Sequence, residues 1–140
     1  MSHTFPSAEW VNAYGDAINA SDTYRQASVE WTHGAVALVV NPQPDIGVPT
    51  ALGVWLDLDR GACRAARLVT QAEADGAPFV LTADYLRWKQ VLRKELGPIA
   101  GIMQRKVLLK GSLPIVVRFV KSAEALVEAA TRVPTKFLDE

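Results

Sequence analysis

A β-hairpin in the middle of the chain constrains the fold more strongly than any other feature of the sequence. Apolar side chains occupy every second position from Leu52 to Leu58, which is the period-two pattern of a strand with one buried face. The triplet Asp59-Arg60-Gly61 then predicts a tight turn, and residues 62–69 return along the first strand. We therefore expect an antiparallel sheet at the centre of the fold.

Three other segments are predicted to add strands to this sheet. Residues 29–40 and 78–82 are rich in β-branched or aromatic residues. The first of these segments contains the uninterrupted apolar run Ala35 to Val40, which is typical of a strand covered on both faces. The third alternates basic and aliphatic side chains until Gly111 ends it. The predicted strands cover residues 29–40, 78–82 and 105–110, which gives five strands in total.

Two helices are predicted before the last strand. The first follows the N-cap candidate Ser7 and covers residues 10–18. The second covers residues 84–96 and ends before a Gly-Pro pair, after which residues 98–104 predict one more helical turn. Residues 22–27 are compatible with a turn or a short helix.

A third helix is predicted directly after the last strand. Ser112 can cap a helix N-terminus, and Pro114 fits the first turn, where its missing N–H has no helical partner. A broad apolar stripe then continues to Ala130, before Val133-Pro134 ends the pattern. A helix over residues 112–130 is therefore expected to cover the sheet, which makes the fold class α+β.

The composition fits a single globular domain over residues 1–140. The chain has 49% hydrophobic and 21% charged residues, which lies in the range of folded proteins. No window approaches the roughly 20 apolar residues of a membrane span, and the first residues lack the pattern of a secretory signal. Cys63 is the only cysteine, so no internal disulfide can form. We expect a cytoplasmic protein.

The charges are unevenly distributed along the chain. Residues 1–83 carry 4 basic and 9 acidic side chains, whereas residues 84–140 carry 11 basic and 6 acidic ones. This surplus predicts weak, salt-sensitive contact with an anionic membrane surface, with Arg87, Arg93 and Lys94 as the candidate side chains. Nucleic acid is not an expected partner, because the basic residues lack interleaved exposed aromatics at strand spacing.

The sequence offers little support for catalysis. Cys63 and His33 lie in predicted strands and have no evident carboxylate partner, so we interpret them as structural. Asp57 and Asp59 alternate with leucines just before a turn, which is typical of a solvated strand face. Two histidines and one cysteine at unrelated spacings do not form a zinc site. We therefore expect no metal, no cofactor and no catalytic residue.

The stretch from Phe79 to Phe137 resembles the sterol carrier protein type-two family. The resemblance lies in Phe79-Val80-Leu81 leading into a tryptophan-bearing helix, the basic strand at 105–110, a terminal helix and a Val-Pro-Thr-Lys-Phe tail. It implies a five-stranded, mainly antiparallel sheet covered by helices on one face, with an apolar cavity between the two layers. It also implies noncatalytic binding, and transfer, of fatty acyl chains, sterol-like molecules or other apolar ligands.

The walls of such a cavity are predicted to come from the second half of the chain. The cavity would be covered by helices at 84–96 and 112–130 and by the turn at 98–104. The predicted ligand-binding residues are Trp88, Leu92, Ile102, Met103 and Phe119. The alternative is a small enzyme or enzyme-assisting subunit, in which an acid such as Asp57 would act inside the same cavity.

Overall fold

The computed structural model describes residues 2–140, and these residues fold into seven strands and seven α-helices. The strands are β1 (His3–Phe5), β2 (Val36–Val40), β3 (Leu52–Asp59), β4 (Ala62–Thr70), β5 (Phe79–Ala83), β6 (Leu108–Lys110) and β7 (Thr135–Phe137). The helices are α1 (Ala8–Asn19), α2 (Asp22–Ala27), α3 (Gln71–Ala74), α4 (Tyr85–Leu92), α5 (Pro98–Met103), α6 (Leu113–Arg118) and α7 (Val120–Thr131). A 3₁₀ turn at Pro44–Ile46 lies in the long loop after β2.

The main sheet has five strands in the order β4-β3-β2-β5-β6, which confirms the predicted fold class. Strands β2 and β5 pair in parallel, and the other neighbours pair antiparallel. The sheet is therefore mixed, although mainly antiparallel. The parallel pair arises because α3 carries the chain from the edge strand β4 back across the sheet, so that β5 lies beside β2.

The larger hydrophobic core lies between one face of the sheet and all the helices except α3. The short helix α3 covers part of the opposite face, where a smaller cluster includes Ala37, Val39 and Ala74. Side chains of β2 therefore alternate between the two cores, which explains the continuous apolar run in the sequence. The larger core contains all the buried aromatic residues, whereas the half-buried Trp55 packs against the smaller cluster.

Helix α1 packs unusually close to the sheet. Ser7 caps it as predicted, because its hydroxyl accepts a hydrogen bond from the Trp10 amide at 3.1 Å. Gly15, a weak point in the helical pattern, faces β4, and a Cβ atom there would lie 2.8 Å from the Ala66 side chain. The glycine is therefore required by the close approach of the two elements.

The structure corrects several predicted boundaries. The strand predicted at 29–40 begins only at Val36, because the preceding residues enter a loop in which the Trp31 indole donates to the Gly34 carbonyl at 2.9 Å. The strand predicted at 105–110 begins at Leu108, since the preceding residues complete the end of α5. The helix predicted at 84–96 ends at Leu92.

The predicted helix over residues 112–130 is divided into α6 and α7 at Phe119. This residue leaves the helical conformation, and its ring packs at 5.0 Å from the Trp31 ring. Its burial in an aromatic cluster competes with continuation of the helix. The local sequence contains no glycine or proline that could indicate this break.

Candidate functional site

An apolar cavity of about 100 Å³ lies between the helical side of the sheet and the helices above it. Strands β2, β3 and β5 contribute its floor, and β1, α1, α4, α5, α6 and α7 close it from above and at the sides. Its lining consists of Phe5, Trp10, Tyr14, Val36, Leu38, Val40, Val54, Leu81, Trp88, Val91, Leu92, Pro98, Ile99, Ile102, Val107, Val116, Ala123, Leu126, Val127 and Ala130.

The floor of the cavity includes a row of aliphatic side chains across the sheet. Strand register aligns Val54 with Leu38 and Leu38 with Leu81, and the row continues to Leu109 of the edge strand β6, which does not line the cavity. Val54 is fully buried, whereas the three leucines are only half-buried.

Every polar side-chain atom on the lining already has a protein partner. The Trp88 indole N–H donates to the Val39 carbonyl, the Trp10 indole N–H to Thr135 Oγ1, and the Tyr14 hydroxyl to the Leu126 carbonyl, at 2.8, 2.8 and 2.9 Å. Burial raises the pKa of Tyr14, so its hydroxyl remains a protonated donor. The cavity therefore offers hydrocarbon surface and no unsatisfied hydrogen-bonding group.

A second, smaller cavity of about 70 Å³ lies beside the first, against Phe119, Trp31 and Phe79. The two cavities share five wall residues, which are Val36, Leu81, Val116, Ala123 and Leu126. Even added together, they are smaller than the roughly 300 to 1,000 Å³ of ordinary ligand pockets. The structure thus represents a nearly closed state.

The five predicted ligand-binding residues occupy three different places. Trp88, Leu92 and Ile102 line the first cavity, and Phe119 lines the second. The side chain of Met103 is 63% exposed and belongs to neither wall. Ile102 and Met103 are consecutive on α5 and so lie about 100° apart around the helix axis, which explains why only one of them faces the cavity.

Other wall residues escaped the sequence-based prediction although their patterns were visible. Trp10 and Tyr14 belong to the apolar stripe of α1, and Leu126 and Val127 to that of α7. Their spacing identifies a buried face, but a packed core gives the same spacing. The distinguishing signal is three-dimensional, because it depends on the gap between two layers.

The residues weighed for catalysis lie elsewhere. Burial raises the pKa of the Cys63 thiol to about 11, so the thiolate is disfavoured near neutral pH. Asp57 pairs with Arg64 at 2.9 Å and does not line the cavity. His33 packs edge-on against Trp31 at 5.1 Å in the aromatic cluster. Within residues 2–140, no group of three or more His, Cys, Asp or Glu side chains is arranged to hold a metal ion.

Across residues 2–140, no helix has both the length and the apolar character that crossing a bilayer requires.

Comparison with known proteins identifies the family. The sequence profile of the SCP-2 sterol transfer family matches residues 15–124, which is most of the chain. The chain belongs to this family. No curated protein sequence gives a significant match.

Two solved structures are similar in both fold and sequence. A crystal structure of sterol carrier protein 2 has a TM-score of 0.85 and 36% identity, over 91% of this chain and 97% of that one. The solution structure of the conserved hypothetical protein TT1886 from Thermus thermophilus has a TM-score of 0.84 and 36% identity, over 93% of this chain and 90% of that one. These matches confirm the resemblance that the second half of the sequence indicated.

A more distant structure shows the same fold only. Sterol carrier protein 2 from Yarrowia lipolytica, in its apo form, has a TM-score of 0.56 at 12% identity, over 87% of this chain and 89% of that one. The architecture is therefore retained at low sequence identity.

Proposed function

We propose that the chain is a single, noncatalytic domain that binds and transfers a lipid. The lipid is a fatty acyl chain, a sterol-like molecule or a similar ligand, and its hydrocarbon part is bound between the sheet and the helices. The observation that carries this proposal is the chemistry of the cavity lining. Its polar atoms are satisfied by protein partners, as the Trp88, Trp10 and Tyr14 hydrogen bonds illustrate. A ligand that enters can gain only from burial of its apolar surface, at roughly 25 cal/mol per Å².

Binding requires the cavity to expand. The present volume of about 100 Å³ holds only a few methylene groups, whereas an acyl chain needs a pocket of ordinary size, about 300 Å³ or more. The two cavities are separated by side chains that include Val116, Ala123 and Leu126. A small shift of α6 and α7 away from the sheet would join them into one elongated site.

A fluorescent fatty acid analogue tests the proposal in solution. Trp10 and Trp88 lie on the cavity wall, so a ligand that enters should quench tryptophan emission or receive energy from it. We expect saturable binding with a dissociation constant of about 1 µM, and displacement by an unlabelled acyl chain. Saturable binding without any change in tryptophan emission would place the ligand outside the cavity and contradict the proposal.

A matched pair of variants locates the ligand. Ile102→Trp fills the first cavity, whereas Met103→Trp adds the same group at the next residue, which is exposed. We expect Ile102→Trp to weaken binding by at least about tenfold while unfolding stays cooperative, since the added volume displaces ligand. Met103→Trp should bind like the wild type. Equal affinity of both variants would overturn the assignment of the site.

A further inference from the structure

Helices α5 and α6 form an incompletely buried part of the cavity wall. Ile99 and Ile102 of α5 and Val116 of α6 line the cavity and are only half-buried. Strand β6, which lies between α5 and α6 in the chain, is the edge strand of the sheet next to β5. Helix α6 contains no buried residue, although its sequence, Leu-Pro-Ile-Val-Val-Arg, is mostly apolar.

Helix α5, the residues that follow it and helix α6, which all border the cavity, carry exposed apolar and basic side chains. We name this surface the α5–α6 face and define it by Met103, Arg105, Lys106, Leu113, Val117 and Arg118. The exposed fractions of its apolar side chains are 63% for Met103, 36% for Leu113 and 44% for Val117. Large exposed apolar side chains grouped with cations are typical of surfaces that bind lipid bilayers.

The charge of this face has one sign. From Leu96 to Ala123 the sequence contains five basic residues and no acidic residue. Among residues 2–140, neither Arg105 nor Lys106 has a carboxylate partner within 4.0 Å. Arg118 lies 3.7 Å from Glu30, but both side chains are largely exposed, so water and salt weaken that pair.

The basic residues that the sequence indicated for membrane contact are in a different situation. Arg93 pairs with Glu140 at 2.5 Å, and Lys94 pairs with Glu128 at 2.6 Å. Arg87 donates to the Gln90 side chain at 3.1 Å. Two of these three cations therefore have a carboxylate within 2.6 Å, whereas Arg105 and Lys106 of the α5–α6 face have none within 4.0 Å among the described residues.

The backbone of Arg105 is left-handed, as it is at Arg60 and Lys94. Arg105 has a φ of 60°, and its N–H donates to the Ile102 carbonyl at 3.0 Å to close α5. Glycine is the favoured residue at such a position.

We propose that the α5–α6 face docks on the surface of a bilayer containing anionic lipids, and that docking brings the half-buried cavity wall of α5 and α6 to the membrane. The proposal deepens the proposed function and rests on it for its purpose, which is exchange of a lipid with the bilayer. The partner follows from charge complementarity, because phosphate head groups meet Arg105, Lys106 and Arg118 while the apolar side chains enter the interface.

Cosedimentation with vesicles of equimolar phosphatidylcholine and phosphatidylglycerol tests the docking. At an ionic strength of about 0.1 M, where the Debye length is about 10 Å, distant charges contribute little. The combined change Arg105→Glu, Lys106→Glu and Arg118→Glu should lower the partition coefficient at least about tenfold. A second triple variant, in which Arg87, Arg132 and Lys136 are replaced by Glu, has the same net charge and should retain binding to within about twofold.

A pair of arginine variants separates docking from folding. Arg60, in the β3–β4 turn, has a φ of 49°, so Arg60→Gly and Arg105→Gly each remove one cation from a left-handed position. Neither change should lower the thermal midpoint. Only Arg105→Gly should weaken vesicle binding, by about fivefold. Equal binding by these two variants would overturn the docking surface, as would equal loss in the two triple variants.

Solution binding of the fluorescent fatty acid distinguishes this proposal from the one it deepens. The triple variant of the α5–α6 face should bind the analogue with wild-type affinity in the absence of vesicles, because its substitutions lie outside the cavity. A wild-type protein that binds the analogue but no anionic vesicle refutes the docking alone. A protein that binds vesicles but no analogue refutes the cavity as a lipid site.

Discussion

The two ends of the helical layer are built in opposite ways. At one end, β1, β7 and α4 are joined by backbone pairing, buried aromatic rings and ion pairs; we call this the tied end. Phe5 contacts Trp10, Tyr85 and Phe137, with ring centroids 4.8, 5.7 and 6.2 Å apart. At the other end, α6 has no buried residue and the cavity wall is half-exposed.

One hydroxyl group links three segments at the tied end. The Tyr85 hydroxyl of α4 donates to the Phe5 carbonyl at 2.8 Å and accepts from the Leu138 amide at 2.9 Å. Just outside, Lys89 pairs with Asp139 at 2.9 Å and Glu140 at 2.7 Å. Residues that are far apart in the sequence are thereby fixed to the helix that carries Trp88.

The difference between the two ends predicts where the cavity can expand. Local opening requires little free energy where few apolar side chains are buried, and it approaches the cost of global unfolding where many are. The tied end holds Phe5, Trp10 and Trp88 in fixed positions on the cavity wall. We therefore expect the α5–α6 end to yield when a ligand enters.

Removal of an aromatic ring from the tied end should have the largest effect on the free energy of unfolding. Phe137 is buried, so Phe137→Ala should lower the free energy of unfolding by about 3–5 kcal/mol. Val117→Ala, on the half-exposed α6, should lower it by less than about 0.5 kcal/mol. Urea denaturation of the two variants measures the difference. Similar losses in both would show that the ends are equally well packed.

A smaller change at the tied end removes the hydroxyl of Tyr85 and keeps its ring. Tyr85→Phe leaves the Phe5 carbonyl and the Leu138 amide without their partner, which should cost about 1–3 kcal/mol. Amide exchange should become faster at Leu138 and in β7 and remain unchanged in α6. Unchanged exchange at Leu138 would indicate that water replaces the hydroxyl without loss.

The contrast between the ends also explains how much the sequence could predict. The β3–β4 hairpin was predicted almost to the residue, because period-two alternation and turn chemistry are local signals. Strands β1 and β7 were missed, since each is only three residues long and they pair across nearly the whole chain. The tied end exists only as tertiary contacts, which no local pattern reveals.

The same limit applies to the cavity. The α4 stripe identified Trp88 and Leu92 as inward-facing residues, and both line the cavity. Phe119 was expected beside them within one continuous helix, but it breaks that helix and lines the neighbouring cavity. A periodic pattern shows which side of a helix is buried, whereas the space between two layers depends on how far apart other contacts hold them.

The smallest predicted effect concerns acid and the ion pairs of the tied end. Hydrogen bonds from Lys89 and Arg93 hold the pKa of Glu140 below its ordinary value of 4.5. A carboxyl group whose pKa is lower in the folded state stabilises the fold. This contribution is fully present above the unfolded-state pKa and is lost as the pH falls through the folded-state pKa. The protection factor of the Leu138 amide, which compares its exchange rate with that of an unstructured peptide at the same pH, should therefore fall below about pH 4.5, before protection in the sheet does.

The replacement of both cations tests the origin of this acid sensitivity. In a variant with Lys89→Gln and Arg93→Gln, the protection factor of the Leu138 amide should already be lower at neutral pH and should change little on acidification, because Glu140 no longer has a charged partner. Lys94→Gln is the matched control, since it removes the exposed pair with Glu128, whose pKa is also lowered. The control should keep the wild-type pH dependence at Leu138. Loss of the pH dependence in the control, or its retention in the double variant, would contradict the role of the ion pairs of Lys89 and Arg93 in holding residues 138–140 against α4. The tied end would then depend on its aromatic rings and the Tyr85 hydroxyl alone.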